Sequence, residues 1–582
     1  MQKKMSPSFK GKIKKVLNIT AAIVALSGVI LLVGEYGFNL SDKKLNLLHL
    51  LICIFSIALI SQFFLKLILS DQKIEFLKEN KKELILIFIF GIALFFLKTR
   101  LYPYPGISYP VKIPGYILSC QIFIGIFFLF KFPQLNRLLL LPHFSPPLIV
   151  ATTFLIIIGI GTFFLLLPIS TAPGKSTSFL NALFTATSAT CVTGLIVVDT
   201  GSHFSLFGQV VILSLIQIGG LGLMTFASFF ALLSGNFGLR DRVVLREIVK
   251  YQNLSKIGYL ILYVLFITFM FEAAGTALLY FQFLPQAKNT LSAFYSALFH
   301  SISAFCNAGF SIYPDSFARY QSNTAVNLIM TSLIICGGLG FVVILNLWGA
   351  FVSRMKKRRE PLSLHTKLVI ITTIILISAG TIFLYLGERN NLLKAMSFKD
   401  KILAAYFQSV TARTAGFNTI HIGSLTTFSS FLLIILMFIG ASPGSTGGGI
   451  KTSTFATLIL TIKSMAQGKE EVEAFKRTIP QTYIYQTLCV VTLALGWSSI
   501  SALFLSFTEH TNFLNILFEV FSALGTVGLS RGITPDLTSL GKMIIIITIF
   551  TGRVGPLTLA LAISGRKVAK LYEYPQESII IG

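Results

Sequence analysis

Four short glycine-containing segments recur along the chain, each between two long apolar stretches. Their glycines, Gly194, Gly309, Gly416 and Gly528, lie about 110 residues apart. A fixed period of this length indicates repeated structural units. The chain is therefore expected to fold as four copies of one unit, with the four glycine segments grouped around a single axis.

The composition places these units in a lipid bilayer. Of the 582 residues, 54% are hydrophobic and 12% are charged, whereas soluble domains carry about 25% charged residues. Many apolar runs exceed the roughly 20 residues that span a bilayer as a helix. These features predict an all-α polytopic membrane protein with four pseudo-symmetric helix–pore-loop–helix repeats around one central pore. Four extra transmembrane helices are expected at the N-terminus.

The net charge of +26 is explained better by membrane topology than by nucleic-acid binding. The basic residues cluster in loops on one side of the predicted topology, as the positive-inside rule requires for the cytoplasmic face. Both termini are therefore expected to be cytoplasmic, in a bacterial inner membrane. The six cysteines form no CxxC pair and predict neither a zinc site nor a disulfide framework. The basic residues between and after the repeats are Arg240, Arg242, Arg246, Lys250, Arg354, Lys356, Lys357, Arg358, Arg359, Lys463, Lys469, Lys476, Arg477, Arg566, Lys567 and Lys570.

The hydrophobic pattern sets the predicted boundaries. N-terminal helices occupy residues 1–140, with apolar spans near 17–38, 47–69, 84–99 and 115–131. The four repeats occupy 145–240, 250–355, 362–470 and 478–572. With an outer and an inner helix in each repeat, twelve spans are expected.

Each repeat is predicted to run as outer helix, half-helix, filter segment and inner helix. The half-helices are too short to cross a bilayer, which favours re-entrant segments. The outer helices are expected near 147–168, 257–284, 366–387 and 481–507. The half-helices are expected near 177–190, 291–305, 398–412 and 512–524, and the inner helices near 208–234, 324–352, 426–465 and 539–565.

The filter segments have the chemistry that a dehydrated cation requires. A potassium ion needs several carbonyl oxygens at once, supplied by non-helical backbone. Glycine permits positive φ and close approach of the backbone, and a half-helix that ends at the pore directs its negative dipole end toward the cation. One glycine after an apolar run is an ordinary turn, but four in register on one side of the membrane favour an ion filter.

The four segments resemble the filters of the potassium transporter superfamily called Trk, Ktr and HKT, and most of all the Ktr-type bacterial subunit. The matching strings are Thr190-Cys-Val-Thr-Gly194, Phe305-Cys-Asn-Ala-Gly309, Thr411-Ala-Arg-Thr-Ala-Gly-Phe417 and Gly525-Thr-Val-Gly-Leu529, and the likeness covers residues 145–570. In this family a serine at the first filter position goes with sodium preference, so Gly194 implies potassium. The resemblance implies a filter lined by Val192, Thr193, Gly194, Asn307, Ala308, Gly309, Thr414, Ala415, Gly416, Thr526, Val527 and Gly528.

The inner helix of repeat three is interrupted by Gly440-Ala-Ser-Pro-Gly-Ser-Thr-Gly-Gly-Gly449-Ile-Lys451. This stretch is too rich in glycine to hold an ordinary helix and also contains proline. Irregular backbone at membrane depth is tolerated only where it is buried in protein or lines a wet cavity. A phosphate-binding loop is not favoured, because Ile450 stands where GxxxxGK[ST] requires glycine. The resemblance implies an intramembrane gate built from Gly440, Gly444, Gly447, Gly448, Gly449, Lys451 and Arg553.

Intramembrane charges are expensive and usually face a cavity or a partner. Arg553 is either a positive barrier beside the gate loop or a helix-pairing arginine held by loop carbonyls, and both alternatives stay open. Arg413 is expected to brace the third filter against Glu519 or Glu272. These two carboxylates are interpreted as hydrogen-bond acceptors that support the filter rather than as ion relays. The strings Gly219-Gly-Leu-Gly222 and Gly337-Gly-Leu-Gly340 are expected to serve helix packing rather than hinge motion.

These features predict potassium uptake across the cytoplasmic membrane, with coupling to sodium or protons left open. One alternative is a sodium-permeable transporter of the same fold, and a weaker one is an unrelated secondary transporter with broken helices. The second alternative is disfavoured because the four repeats run in the same sense and are not inverted. No HExxH or GxSxG motif supports an enzyme, and no organic cofactor is expected. The resemblance implies a homodimer and a cytosolic ring of nucleotide-binding regulatory subunits.

Overall fold

The computed structural model describes residues 7–38, 41–70, 72–97, 101–103, 112–139, 146–222, 257–357 and 361–564. Several predicted features lie outside the described residues. These are the second part of the inner helix of repeat one and the basic residues Arg240, Arg242, Arg246, Lys250, Arg358, Arg359, Arg566, Lys567 and Lys570.

The described N-terminal residues form helices that cover the four predicted apolar spans. Ala21 and Ala25 are buried against Ile52 and Phe123 in a shared core. A polar contact joins the same helices, because the Glu35 carboxylate lies 2.8 Å from His49 Nε2. The helices are Pro7–Gly37, Asp42–Ile68, Lys73–Glu79, Lys81–Leu97 and Gly115–Leu139, and Leu101–Pro103 pairs antiparallel with Lys112–Pro114.

The four repeats follow in the predicted order. The outer helices are Pro146–Leu166, Ile257–Phe283, Leu364–Glu388 and Gln481–Thr508. The half-helices are Phe179–Thr190, Thr290–Phe305, Phe398–Thr411 and Phe513–Gly525. Short helical turns occupy Pro168–Ser170, Thr200–His203, Leu284–Gln286, Ala318–Tyr320 and Ile422–Ser424, and a hairpin of Val472–Ala474 with Arg477–Ile479 precedes repeat four.

Polar caps fix where three of the half-helices begin. The side chains of Ser178, Asn289 and Ser397 each accept a hydrogen bond from the backbone N–H three residues further along. A cap of this kind satisfies a donor that the first turn leaves free. These three half-helices therefore begin at fixed residues. The glycine segments follow their last turns, which lie in the interior of the protein.

The inner helices are broken in more repeats than the sequence predicted. In repeat two, Thr324–Leu339 and Phe341–Met355 meet at an angle of 97° at Gly340. The φ of Gly340 is 88° and that of Gly555 in repeat four is 92°, which are values that glycine adopts without steric penalty. The prediction of continuous inner helices over 324–352 and 539–565 is therefore wrong. The inner-helix segments are Leu206–Leu221, Thr324–Leu339, Phe341–Met355, Thr427–Phe438, Thr452–Ala466, Ser539–Val554 and Pro556–Ser564.

The described residues contain fewer full-length spans than the twelve that the sequence predicted. Among the described residues, six helices are long and apolar enough to cross a membrane, or seven if the bent pair of repeat two is one span. They are Val16–Gly37, Lys43–Ile68, Leu148–Leu166, Leu262–Gln286, Leu364–Glu388 and Gln481–Thr508. Every repeat thus supplies a full-length outer helix, whereas the inner helices, as far as they are described, consist of shorter pieces.

The repeats close into a ring. Each half-helix packs against its own outer helix and against the inner helix of the preceding repeat. The half-helix of repeat one packs in the same way against Ser539–Val554 of repeat four. This cyclic packing brings the four half-helix ends together around one axis.

Candidate ion filter and gate loop

The four glycine segments share one backbone conformation. In each, the glycine and the residue two positions before it have positive φ, which is uncommon for residues other than glycine. Such a conformation persists only where the surrounding structure imposes it. The φ values are 57° at Val192, 58° at Asn307, 73° at Thr414 and 49° at Thr526, and they are 92°, 69°, 82° and 91° at Gly194, Gly309, Gly416 and Gly528.

The glycines contact one another in chain order around the ring. A methyl group built on Gly194 would lie 2.5 Å from the Ala308 carbonyl oxygen and 3.0 Å from the Gly309 Cα. A methyl group on Gly309 would lie 2.7 Å from the Ala415 carbonyl oxygen. Methyl groups on Gly416 and Gly528 would meet the carbonyl oxygens of Val527 and Thr193, which closes the circle.

Hydrogen bonds from the half-helices orient the first peptide of each filter segment. The backbone N–H groups of Thr193, Ala308, Ala415 and Val527 donate to the carbonyl oxygens of Ser188, Ser303, Thr411 and Ser522 at 2.8–2.9 Å. A trans peptide directs its C=O opposite to its N–H. The carbonyl groups of Val192, Asn307, Thr414 and Thr526 therefore turn away from their half-helices.

Asn307 breaks the four-fold symmetry and links two filter segments. Its amide lies 3.2 Å from Thr414 Oγ1. With the amide oriented to satisfy both of its ends, the nitrogen donates to Ala304 O at 2.9 Å and to Ile334 O at 3.1 Å, and the oxygen accepts from Thr414. The side chain thus ties the filter of repeat two to that of repeat three.

Glycines of the inner helices pack against the base of the filter. Methyl groups on Gly219, Gly337 and Gly552 would collide with the carbonyl oxygens of Thr190, Phe305 and Leu524, each four residues before a filter glycine. Gly222 and Gly340, three residues further along two of these helices, have positive φ and end them. These glycine strings therefore serve close packing and helix termination together, whereas the sequence favoured packing alone.

The glycine-rich loop of repeat three lies directly against the filter. It connects Thr427–Phe438 to Thr452–Ala466, and its two ends join through a hydrogen bond of 2.8 Å from Gly440 N to Ile450 O. Methyl groups on Gly447 and Gly448 would collide with the hydroxyl groups of Thr414 and Thr526. The loop therefore packs directly against filter segments three and four.

The same loop caps the broken inner helix of repeat two. Phe341 N donates to Gly444 O at 3.0 Å, and Thr446 N donates to Gly337 O at 3.3 Å. Ser442 Oγ donates to Gly338 O at 2.8 Å. Carbonyl groups that the helix break leaves free are thus satisfied by the loop.

Two buried cations hold the loop in place. Lys451 Nζ donates to the carbonyl oxygens of Gly447 at 2.7 Å and Gly448 at 3.4 Å. The Arg553 guanidinium donates to Thr446 O in the loop and to Gly219 O at the end of the inner helix of repeat one. Arg553 is therefore held by loop carbonyls, as one of the two alternatives expected, and its role as a positive barrier stays a prediction.

The two intramembrane carboxylates contact the filter surroundings. Glu272 accepts from Gln217 Nε2 at 3.2 Å and lies 3.8 Å from the Cys306 thiol at the end of the second half-helix. Glu519 accepts from Ser530 Oγ at 2.9 Å and from Thr534 Oγ1, in the loop that follows the fourth filter glycine. Both are buried hydrogen-bond acceptors in contact with the filter support.

Arg413 does not contact either carboxylate. Its Nε is buried without a hydrogen-bond partner, and no described carboxylate lies within ion-pair distance of its guanidinium. The side chain lines a small cavity with Gly338, Thr373 and other residues. The predicted brace to Glu519 or Glu272 is wrong because those groups are satisfied by Ser530, Thr534 and Gln217 instead.

The Arg413→Met variant tests this isolation. Removing one partner of a buried ion pair costs about 3–5 kcal/mol, whereas removing an unpaired buried charge relieves its desolvation penalty. We therefore expect the melting temperature of the detergent-solubilised variant to equal or exceed that of the wild type. A fall of the size seen for a broken ion pair would mean that Arg413 has a carboxylate partner in the membrane.

Sequence reasoning missed one residue in each repeat. It is the serine or threonine near the end of the half-helix whose backbone carbonyl accepts a hydrogen bond from the filter segment. The signal was present, because Ser188, Ser303, Thr411 and Ser522 are each followed by alanine and stand five or six residues before the filter glycine. Ser or Thr in an apolar helix is common, and only the packed structure distinguishes these four from the others.

Residues 119–570 match the TrkH family, described as "Cation transport protein". The chain is 40% identical over 453 residues to the Ktr system potassium uptake protein B of Bacillus subtilis (strain 168), covering 77% of this chain and 99% of the relative. It is 38% identical over 448 residues to the potassium/sodium uptake protein NtpJ of Enterococcus hirae, covering 75% of this chain and 97% of the relative. These relatives are ion transport proteins and not enzymes.

The fold is shared with solved structures. Among them is the crystal structure of the potassium transporter TrkH from Vibrio parahaemolyticus, with a TM-score of 0.59 and 18% identity. The alignment covers 88% of this chain and 96% of that chain. The four-repeat architecture is thus shared despite low sequence identity.

Proposed function

This chain belongs to the TrkH family of cation transport proteins, with Ktr-type relatives, and we propose that it is the pore-forming membrane subunit of a bacterial potassium uptake system. The observation that carries the proposal is the closed ring of filter glycines. Each of Gly194, Gly309, Gly416 and Gly528 adjoins the carbonyl oxygen that precedes the next glycine. One axis therefore has equivalent backbone oxygens from all four repeats around it.

In this proposal a potassium ion exchanges its hydration shell for those oxygens. The carbonyl groups come from Val192, Asn307, Thr414 and Thr526 and from the residue that follows each of them. The half-helices end at this point, so the negative ends of their dipoles add to the attraction for a cation. No acidic side chain is needed at the filter, because the backbone supplies the charge density.

The glycine-rich loop acts as the gate. Its glycines lie against Thr414 and Thr526 below the filter, so an ion that leaves the filter meets the loop backbone. The positive charges of Lys451 and Arg553 stand beside the closed passage and oppose a cation there. Uptake requires the loop to move away from the filter, which breaks the hydrogen bonds of both cations to loop carbonyls.

The second candidate is a pore that also admits sodium. The name of the Enterococcus hirae relative includes both ions, and its similarity to this chain supports sodium as a further substrate or as a coupling ion. Gly194 favours potassium by family resemblance. Coupling to sodium or protons belongs to this proposal and is not needed for the filter mechanism.

The proposal includes a homodimer, a cytosolic ring of nucleotide-binding subunits and a location in the cytoplasmic membrane. Lys463 in the last turn of Thr452–Ala466 and Lys469, Lys476 and Arg477 in the connection to repeat four are basic residues that the positive-inside rule places on the cytoplasmic face. That orientation puts the gate loop on the side where a cytosolic ring would act. It also makes both termini cytoplasmic.

The experiment is growth rescue of a bacterium that lacks its own potassium uptake systems, in low-potassium medium, by wild type, Gly194→Ser and the control Gly159→Ala. Gly159 lies in the outer helix of repeat one with no heavy atom within 4 Å of a built methyl group, so its variant should rescue fully. A side chain at Gly194 would collide with the Ala308 carbonyl. We expect wild-type rescue and a Gly194→Ser variant with weaker potassium uptake and greater sodium permeation.

Sodium uptake by the wild type without potassium rescue, even with a nucleotide-binding ring subunit co-expressed, would overturn the potassium assignment and leave the pore architecture in place. Equal behaviour of Gly194→Ser and wild type, at equal protein amounts in the membrane, would show that Gly194 does not line the ion path.

A further inference from the structure

One hydroxyl residue near the end of each half-helix reaches the filter backbone with its side chain. These residues are Ser188, Ser303, Thr411 and Ser522, and all four are fully buried. Their backbone carbonyls already hold the filter, as described above. The side-chain contacts are a separate set of hydrogen bonds, directed to the filter glycine or to the residue that follows it.

The most complete set of these side-chain hydrogen bonds is in repeat one. Ser188 Oγ accepts from Gly194 N at 3.1 Å and donates to Leu195 O at 2.7 Å. In repeat four, Ser522 Oγ accepts from Gly528 N at 3.1 Å. In repeats two and three, the hydroxyls of Ser303 and Thr411 donate to Phe310 O at 2.8 Å and Phe417 O at 2.7 Å.

These contacts determine where the second row of carbonyls points. The N–H of Gly194 belongs to the same planar peptide as the C=O of Thr193, and the two point in opposite directions. Because the N–H is bonded to Ser188 behind the filter, the Thr193 oxygen must face the axis. Its position next to Gly528 agrees with this orientation. Ser522 acts in the same way on the Val527 oxygen.

From this geometry we propose that the four half-helix hydroxyls are positioning residues that set the ion preference of the filter, and the proposal rests on the function proposed above. In repeats one and four, the backbone carbonyl and the hydroxyl of a single serine bind two successive N–H groups of the filter segment. In repeats two and three, the hydroxyl binds the carbonyl of the residue after the filter glycine and so fixes the end of the segment. The first row of oxygens and the Thr193 and Val527 oxygens of the second row are thereby held at separations that suit one ion size. Without the Ser188 or Ser522 hydroxyl, the glycine peptide can rotate, and the second row loses its fixed radius.

Repeat three is built differently. Thr411 stands five residues before Gly416, whereas the serines stand six residues before their glycines. The N–H groups of Ala415 and Gly416 both donate to the Thr411 carbonyl oxygen, at 2.9 and 3.3 Å. The glycine peptide of repeat three is therefore held without help from a side chain. Loss of the Thr411 hydroxyl should affect ion preference less than loss of the Ser188 hydroxyl.

The test compares two variants in each of two half-helices. In each pair, one variant loses a hydroxyl that contacts the filter and the other loses a buried hydroxyl that does not. Ser188→Ala removes the filter contacts, and Thr185→Val removes a buried hydroxyl that bonds only to Asn181 O of the same helix. Ser303→Ala is paired in the same way with Ser301→Ala, because the Ser301 hydroxyl bonds to Glu272 O of the outer helix. Full-length protein is expressed in the potassium-uptake-deficient strain, and initial rates of potassium and sodium uptake are measured at equal membrane levels.

We expect Ser188→Ala to lower the ratio of potassium to sodium uptake about tenfold, the effect of losing two hydrogen bonds. Ser303→Ala should lower the ratio by a smaller factor, and Ser188→Thr should keep the wild-type ratio, since threonine retains the hydroxyl that bonds to Gly194 N and Leu195 O. Thr185→Val and Ser301→Ala should change the amount of protein or the rate without changing the ratio.

An unchanged ratio in Ser188→Ala with normal transport overturns the inference. So does an equal change in Ser188→Ala and Thr185→Val, because it would reflect a merely structural role. A wild type that transports neither ion contradicts the proposed function and the inference together, and this outcome is distinct from the other two.

Discussion

Replacement of Gly416 by alanine is expected to reduce potassium uptake to the background of the uptake-deficient strain. The φ of Gly416 is 82°, a conformation that disfavours any residue with a Cβ by about 1–2 kcal/mol. The added methyl group would also meet the Val527 carbonyl oxygen and lie 3.2 Å from the Cα atoms of both Gly309 and Gly528. All of these atoms belong to the backbone, so no flexible side chain can move to relieve the collision.

The methyl group would therefore displace the ring of carbonyls that is proposed to hold the ion. Gly496→Ala is a suitable control, because Gly496 lies in the outer helix of repeat four and a methyl group there meets no heavy atom within 4 Å. Alanine is also the better helix former by about 1 kcal/mol, so this variant should be as stable as the wild type or more so. If Gly416→Ala transports potassium normally at equal membrane levels, the glycine ring is not the ion path.

Replacement of Arg553 by glutamine is expected to raise potassium uptake in cells that lack the cytosolic regulatory subunits. The guanidinium bonds to Thr446 O in the gate loop and to Gly219 O in repeat one. It thus connects the loop to the end of the inner helix of repeat one. A hydrogen bond to a charged group contributes about 1.5–3 kcal/mol, so loss of one favours the open loop by roughly ten- to a hundredfold.

Removal of the charge acts in the same direction, because a cation near the passage repels potassium. Lys542→Gln in the same helix is the control, since Lys542 Nζ contacts Asn181 Oδ1 at 3.4 Å and not the gate loop. Uptake is measured as the initial rate in the strain without the ring subunits and compared with the rate in their presence. An Arg553→Gln protein that is present at normal levels but transports at or below the wild-type rate would contradict a closing role for Arg553.

The elements of the pore were largely predictable from local pattern. Apolar runs of membrane length predicted the four outer helices, and polar caps such as Ser178 and Ser397 mark where half-helices begin. The interruption at Gly440–Lys451 was predictable because proline and repeated glycine cannot continue a helix. The breaks at Gly340 and Gly555 were missed, although Gly337 and Gly338 stand near the first and Pro556 follows the second, because small residues also serve close packing of continuous helices in a membrane.

Contacts between repeats could not be inferred in the same way. Arg413 was assigned a carboxylate because a buried arginine usually has one, yet the nearby carboxylates bind hydroxyl and amide groups instead. The hydroxyls of Ser188 and Ser522 look like those of any serine in an apolar helix, and their bonds to the filter depend on where the chain turns after the helix ends. Arg553 was placed near the gate by resemblance, but its second bond, to Gly219, joins residues more than 300 positions apart.

The amino-acid order alone determines the number of repeats, their outer helices and half-helices, and the four glycines at which the filter backbone takes positive φ, because these depend on periodicity, length and the absence of a Cβ. The positive φ two residues before each glycine and the breaks in the inner helices became visible only in the structure. The tertiary structure decides which carbonyls face the axis, which loop atoms the buried cations bind and which hydroxyls hold the filter. Those choices depend on the packing of one repeat against the next, where a hydrogen bond forms only if two distant segments meet within about 3 Å.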